Sequence, residues 1–131
     1  MEWYKDGLYP EWHIDGKDFS PKKLKETFPD LILSSNHEVG EFGEFKWNKN
    51  EKYDYGSCII VVEDSIQFKL DWLLNFILEN GDEIRKLGVD NELIWLIWYG
   101  IQGNMELDSR MIRKLAKTGL SMNMNYHYIE Q

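Results

Sequence analysis

The segment 64–87 is the feature that most restricts how this chain can fold. No Pro or Gly interrupts residues 65–79, and nine of these fifteen residues are apolar. As a helix, the segment would be apolar far beyond the roughly 100° stripe of an ordinary surface helix, so it has to be covered on more than one side. We predict a central helix that begins at a cap of Asp64 and Ser65 and ends at Gly81, with a short continuation over 82–87.

Short apolar runs before and after this helix predict a sheet. The runs 57–63 and 93–101 are apolar on both faces, as is typical of central strands, and we expect the first of them to be covered on both faces. Segment 120–129 alternates between apolar and polar side chains, which favours an edge strand or a strand with one wet face. Residues 34–44 are predicted to form a long acidic loop. The other predicted elements are strands over 7–15 and 44–48 and helices over 21–28 and 109–118.

Two segments of the chain are similar to each other. Ile14-Asp15-Gly16 leads through a short basic helix back to apolar residues, and Ile101-Gln102-Gly103 does the same. The pattern favours a pseudo-duplicated order βαββαβαβ, with chance similarity of so short a match as the alternative. We predict a single α+β domain over residues 1–131, with a mixed, mainly antiparallel sheet and helices packed on one face.

Acidic residues outnumber basic ones, and the excess lies in the middle of the chain. The net charge is −8 at pH 7, and residues 31–106 carry fourteen acidic and six basic side chains. Nucleic-acid binding needs a basic footprint that displaces counterions, so no nucleic-acid partner is expected. The acidic region favours docking of a basic protein, although a solubilising surface has the same composition.

Aromatic residues make up 15% of the chain, more than a small domain is expected to enclose. Exposed Trp and Tyr are enriched at protein–protein hot spots, while a small core built from large rings is the alternative. The single cysteine, Cys58, excludes an internal disulfide and lies in an apolar run typical of a buried thiol. The longest apolar run is nine residues and the N-terminus shows no signal pattern, so we expect a cytoplasmic protein without a membrane segment.

The residues predicted to bind a partner lie in the acidic middle of the chain. They combine carboxylates that attract a basic protein with rings that anchor an interface. They are Glu38, Glu41, Glu44, Trp47, Tyr53, Asp54 and Tyr55.

A metal site is a second candidate. His13, Asp15 and His127 would converge if the first and last strands were neighbours, and two imidazoles with a carboxylate suit zinc. The alternative is that these are polar side chains on wet strand faces. No catalytic residue and no cofactor is predicted, because Ser57 lies outside any G-x-S-x-G motif and no adjacent base is evident from the sequence.

Several segments together resemble a known family. They are Ile14-Asp15-Gly16 before Ser20-Pro21-Lys22-Lys23-Leu24, then Gly40-Glu41 and Trp47, the central helix, Gly103, and Leu115-Ala116-Lys117-Thr118-Gly119-Leu120 before Tyr126. In this combination, which covers most of the chain, the sequence resembles the bacterial domain-of-unknown-function family 4279. The resemblance implies a small bacterial α+β domain and implies no activity.

Three functions agree with these observations. The first is a non-enzymatic, acidic protein-binding module, most simply an immunity or antitoxin-type protein that blocks a basic bacterial toxin. The second is a homodimeric scaffold in which Trp3, Trp12, Trp47 or Trp98 completes a face across a two-fold axis. The third is a small-ligand or metal-binding domain that uses the two histidines and the aspartate named above. The first is favoured, because acidity and surplus aromatic residues both agree with it.

Overall fold

Five strands and three helices alternate along the chain. The computed structural model describes residues 7–100 and 106–128. The elements are β1 (Gly7–Gly16), α1 (Pro21–Thr27), β2 (Ile32–His37), β3 (Gly56–Val61), α2 (Lys69–Arg85), β4 (Asn91–Gly100), α3 (Ser109–Thr118) and β5 (Met122–Tyr128). The predicted α+β class is confirmed. Within the described ranges, no helix is long and apolar enough to cross a membrane.

The five strands form one mixed sheet with β1 at its centre. The strand order is β2-β3-β1-β4-β5. Neighbouring strands are antiparallel except for β4 and β5, which are parallel and are joined through α3, because a parallel pair needs a crossover connection. The predictions that β3 and β4 are central strands and that β5 is an edge strand are therefore confirmed. The prediction that β3 is covered on both faces is wrong for the described ranges, because their helices lie on one face of the sheet.

All three helices pack on one face of this sheet. Alternate residues of β1 are buried beneath α2, and side chains from α1 and α3 complete the same core. The buried sheet residues of this core are Trp12, Ile14, Cys58, Ile60, Ile94 and Leu96, and the buried helix residues are Leu24, Leu70, Leu73, Leu74, Ile77 and Ile84. Burial raises the pKa of the Cys58 thiol to about 12, and the nearby charge of Glu38 adds to the rise. This agrees with the predicted buried thiol.

The other side of the sheet has no helix in the described ranges, and we call it the open face. Residues that pair across strands project from the same side, so the register defines its members. They are Gly7, Tyr9, Glu11, His13, Asp15, Ile32, Ser34, His37, Ser57, Ile59, Val61, Asn91, Leu93, Trp95, Ile97, Tyr99, Asn123, Asn125 and His127.

The central helix differs from its predicted bounds at both ends. It begins at Lys69 rather than at the Asp64 and Ser65 cap, and Phe68 in the N-cap position makes no side-chain capping bond. It also continues through Gly81, which is buried. A Cβ added at Gly81 would lie 3.0 Å from Nη1 of Arg85, so the guanidinium packs closely over this position. Tertiary packing therefore overrides the roughly 1 kcal/mol by which glycine disfavours a helix interior.

The predicted strand over 44–48 is wrong, and the strand lies earlier in the chain. Residues 44–48 form bends and a turn, whereas Ile32–His37 forms β2 and so takes up the first four residues, 34–37, of the predicted acidic loop. Residues 34–36, Ser-Ser-Asn, have low strand propensity, yet they lie in β2. The hydrogen bonds that β2 forms with β3 outweigh this low propensity. The register shifts between Ser34 and His37, where Ser35 has a φ of 45°.

The four tryptophans predicted to complete a dimer face lie in different environments. Trp12 is fully buried in the core, which contradicts its assignment to an interface. Trp98 is half-buried against Tyr126, and Trp47 is exposed. Trp3 lies outside the described residues.

Charged side chains connect α2 and α3 at the edge of the core. Lys114 Nζ lies 2.5 Å and Arg110 Nη1 3.3 Å from Asp71 Oδ1. The hydrogen bond from Lys114 lowers the pKa of Asp71 below its ordinary value of 3.8, and the charges of Lys114 and Arg110 act in the same direction.

Replacing Asp71 with Asn should remove an acid-dependent part of the stability. Since the folded-state pKa is lowered, the carboxylate stabilises the fold fully above about pH 4 and progressively less as the pH falls through the folded value. We expect Asp71→Asn to lower the free energy of unfolding at pH 7 by about 0.5–1 kcal/mol, a value limited by solvent screening. Urea unfolding at pH 7 and pH 2.5 should show this difference only at pH 7. Glu79→Gln on the same helix is the matched control, and an equal loss in both variants would contradict the assignment.

Candidate functional site

The connection between β2 and β3, which we call the 38–55 loop, folds back on itself as an irregular hairpin. The amide of Tyr53 donates to the Glu41 carbonyl at 2.9 Å, and the amide of Gly43 donates to the Glu51 carbonyl at 3.0 Å. Phe42 and Lys52 form an isolated bridge between these two bonds. The loop is therefore shaped by its own backbone pairing outside the sheet.

A buried asparagine holds the tip of this loop. Asn48 is only 5% exposed, and its Oδ1 accepts a 2.8 Å hydrogen bond from the Phe45 amide while its Nδ2 donates to the Tyr53 hydroxyl at 3.2 Å. A Cβ at Gly43 would stand 2.2 Å from Asn48 Cγ, so only glycine allows this close approach.

The tip presents aromatic rings to solvent. Phe45 and Trp47 are 57% and 78% exposed, and their rings are nearly parallel with centroids 5.8 Å apart. Phe42, beside them, is 56% exposed. Contiguous exposed apolar groups of this size mark interaction surfaces more often than isolated ones do.

A second ring cluster joins the loop to the sheet. His37 stacks on Tyr53 with centroids 3.6 Å apart, and Tyr55 meets His37 edge-on at 4.9 Å. A small cavity of about 140 Å³ lies between these rings and the tip, and its lining includes Glu41 and Glu44.

An acidic groove of about 550 Å³ lies at the same end of the sheet, where β1 ends and β3 and β4 begin. Its lining residues are Asp15, Gly16, Lys17, Asp54, Tyr55, Asp90 and Asn91. A Cβ on Gly16 would lie 1.9 Å from the Gly88 carbonyl oxygen. Glycine at position 16 therefore allows the end of β1 to approach the connection between α2 and β4 beside the groove.

Two of the three carboxylates of the groove accept hydrogen bonds from other residues that line it. Asn91 Nδ2 donates to Asp15 Oδ1 and the Lys17 amide donates to Asp90 Oδ2, each at 2.9 Å. No described residue donates a hydrogen bond to Asp54, which is exposed. Tyr55 belongs both to this groove and to the ring cluster, so rings and carboxylates form one continuous surface, which we call the aromatic–acidic surface.

The structure brings most of the predicted partner-binding residues together. Those that lie on the aromatic–acidic surface are Glu41, Glu44, Trp47, Tyr53, Asp54 and Tyr55. Glu38 has a different environment, because the Ser20 hydroxyl and the Lys22 amide donate to its two carboxylate oxygens and so fix it at the start of α1.

The residues of the predicted metal site do not converge. His13 pairs with Leu93 of β4, whereas His127 pairs with Tyr99 of the same strand. Six residues of extended strand, about 20 Å, therefore separate the histidines along the sheet, although Asp15 lies near His13. In the described part of the chain, no group of three His, Cys, Asp or Glu side chains is placed to hold a metal ion. The error arises because β1 and β4 are neighbours and β5 is one strand further away.

Sequence reasoning missed a serine–histidine contact and the acidic groove. Ser57 Oγ lies 2.9 Å from His37 Nε2, because the register of β2 and β3 places the two residues opposite each other. His37 Nδ1 is buried and has no hydrogen-bond partner among the described residues, whereas the histidine of a catalytic triad donates from this atom to a carboxylate. The pair therefore joins two strands. No spacing in the sequence marks either feature, since each depends on residues twenty or more positions apart.

No family model, no curated protein and no solved structure matches this chain. The resemblance to domain-of-unknown-function family 4279 therefore stays a prediction.

Replacing Asn48 with Ala should loosen the loop without unfolding the domain. The variant loses two hydrogen bonds of about 1 kcal/mol each, while the main core is untouched. We expect amide hydrogen exchange at Gly43 and Tyr53 to accelerate by up to about thirtyfold, with exchange in β1 unchanged. Asn50→Ala, two residues away and exposed, is the matched control. Unchanged protection of these amides in Asn48→Ala would show that the backbone pairing holds the loop by itself.

Proposed function

We propose that this protein is a non-enzymatic protein-binding module whose aromatic–acidic surface docks a basic protein. The observation that carries the proposal is the continuity of exposed rings with an acidic groove at one end of the sheet. Rings of this type dominate binding energy when a partner covers them, and carboxylates around them select a positively charged partner.

The groove supports a partner that presents Arg or Lys side chains. Its three carboxylates line the same groove as Tyr55, and a guanidinium can both pair with carboxylates and stack on an aromatic ring.

The partner that best fits this chemistry is a basic bacterial toxin, which makes the protein an immunity or antitoxin-type inhibitor. The order within the loop supports this assignment, because a preorganised surface loses less entropy on binding than a flexible one. The proposal includes a cytoplasmic location and assigns no catalytic residue and no cofactor.

Native mass spectrometry of the protein, isolated from its own cells at natural abundance, tests the proposal directly. We expect a stoichiometric complex with a second, basic polypeptide. An acidic partner or a complex that forms without the 38–55 loop would contradict it.

Reversing charge on the surface should slow association with that polypeptide. We expect Glu41→Lys, Glu44→Lys and Asp54→Lys together to lower the association rate about tenfold at low salt and to flatten its salt dependence, since long-range attraction is lost. Stopped-flow kinetics over a salt series measures both. The control combines Glu26→Lys, Glu79→Lys and Glu83→Lys, which give the same net charge on exposed helix positions. An equal effect of both sets would mean that net charge alone matters.

Removing the exposed ring at the tip should act on dissociation instead. We expect Trp47→Ala to raise the dissociation rate about thirtyfold, the equivalent of roughly 2 kcal/mol for a hot-spot ring. Phe68→Ala is the matched control, since Phe68 is 70% exposed at the start of α2 and lies outside the aromatic–acidic surface. Surface plasmon resonance separates the two rates, and an unchanged dissociation rate would remove Trp47 from the interface.

A further inference from the structure

The open face of the sheet differs in composition from the rest of the protein. The chain contains fifteen Lys and Arg residues, yet none occupies a described position of the open face. Its acidic members are Glu11 and Asp15 only. Depletion of charged residues, and of lysine in particular, is the compositional mark of an interface centre.

The middle of the open face is apolar. Ile59 and Val61 of β3 and Trp95 and Ile97 of β4 lie on either side of β1, and none of them belongs to the core beneath the helices. These side chains are half-buried by their neighbours in the sheet and have no helix over them in the described ranges. An antiparallel sheet often leaves one face to solvent, but such a face is then mainly polar.

The polar groups at the centre are already paired within the face. His13 Nε2 lies 2.9 Å from Glu11 Oε1, and the His13 ring lies against Trp95 with centroids 5.4 Å apart. Asp15 accepts a hydrogen bond from Asn91. Covering this face therefore leaves each of these two carboxylates with one hydrogen-bond partner, which lowers the penalty for burying them.

We propose that two copies of this chain pack open face to open face as a symmetric dimer. A chain with a net charge of −8 repels a second copy, and the described open face adds little to that repulsion, because Glu11 and Asp15 are its two carboxylates. A two-fold axis brings like surfaces together, so an apolar patch without excess charge is self-complementary. A basic partner instead finds its charge complement on the aromatic–acidic surface, which meets the open face at Asp15 and Asn91 but is centred on the 38–55 loop.

The size of the open face agrees with this occupant. Five strands spaced about 4.8 Å apart give a width of about 24 Å, and strands of six to ten residues are about 20–33 Å long. The resulting area of roughly 500–800 Å² approaches the about 800 Å² that each partner contributes to a stable interface. Two such sheets pack about 10 Å apart with their strands crossing at about 30°.

Analytical ultracentrifugation of the full chain at micromolar concentration tests the dimer. We expect a species of twice the 15.7 kDa chain mass, and we expect Trp95→Lys and Ile59→Lys each to convert it to the single-chain mass. Phe68→Lys, which adds the same charge outside the open face, should remain dimeric. The melting temperature of the wild type should rise with protein concentration, whereas that of the lysine variants should not, because only a dimer couples folding to concentration.

A wild-type protein that sediments as a monomer over the whole range would overturn the inference. A dimer that persists in both lysine variants would also overturn it, since the interface would then lie elsewhere. Circular dichroism shows whether each lysine variant is folded. If one is unfolded, Trp95→Gln, which adds no charge, is used in its place. This experiment uses the isolated chain. A monomeric result would therefore overturn the dimer and would not decide whether the chain binds a basic polypeptide.

Discussion

The packing of α2 against the centre of the sheet is the interaction on which the rest of the structure depends. β1 lies in the middle of the sheet and α2 lies over it, so the most buried side chains of both elements meet. The Trp12 ring contacts Phe76 edge-on at 6.5 Å, and Phe76 in turn stacks on Trp72 at 5.3 Å. Side chains of this size each contribute several kcal/mol when buried, far more than any surface ion pair.

This core fixes the position of both surfaces that we assign to binding. Once β1 is buried on its α2 side, the period of two in a strand directs its other residues to the open face. The same strand ends at Gly16, where its contact with Gly88 sets the acidic groove beside the beginning of β3. The aromatic–acidic surface and the open face are thus consequences of one packing arrangement, although they have different chemistry.

The two surfaces also differ in how they would bind. The 38–55 loop presents rings that are more than half exposed among carboxylates, which suits fast, salt-dependent association with a charged partner. The open face presents half-buried apolar residues with their charges paired, which suits a contact driven by burial of apolar area. A single chain therefore contains one surface suited to selecting a partner and one suited to self-association.

The sequence by itself determined the class of the fold and much of its element order along the chain. Period and capping were enough for β1, α1, α3 and the interior strands, because each is decided by residues close together in the chain. Composition also pointed to the acidic, aromatic middle of the chain, and most of the residues predicted there to bind a partner lie together on the aromatic–acidic surface. Glu38 was the exception, as its carboxylate is used to hold the start of α1.

Only the tertiary structure decided features that depend on distant residues. Gly81 remains helical and Ser34 lies in a strand because packing and ladder bonds outweigh local preference, and no local pattern contains those terms. The strand order separated His13 from His127, and the register placed His37 opposite Ser57. Local sequence carries propensity, whereas adjacency across a sheet follows from the free energy of the whole core, which only the folded chain specifies.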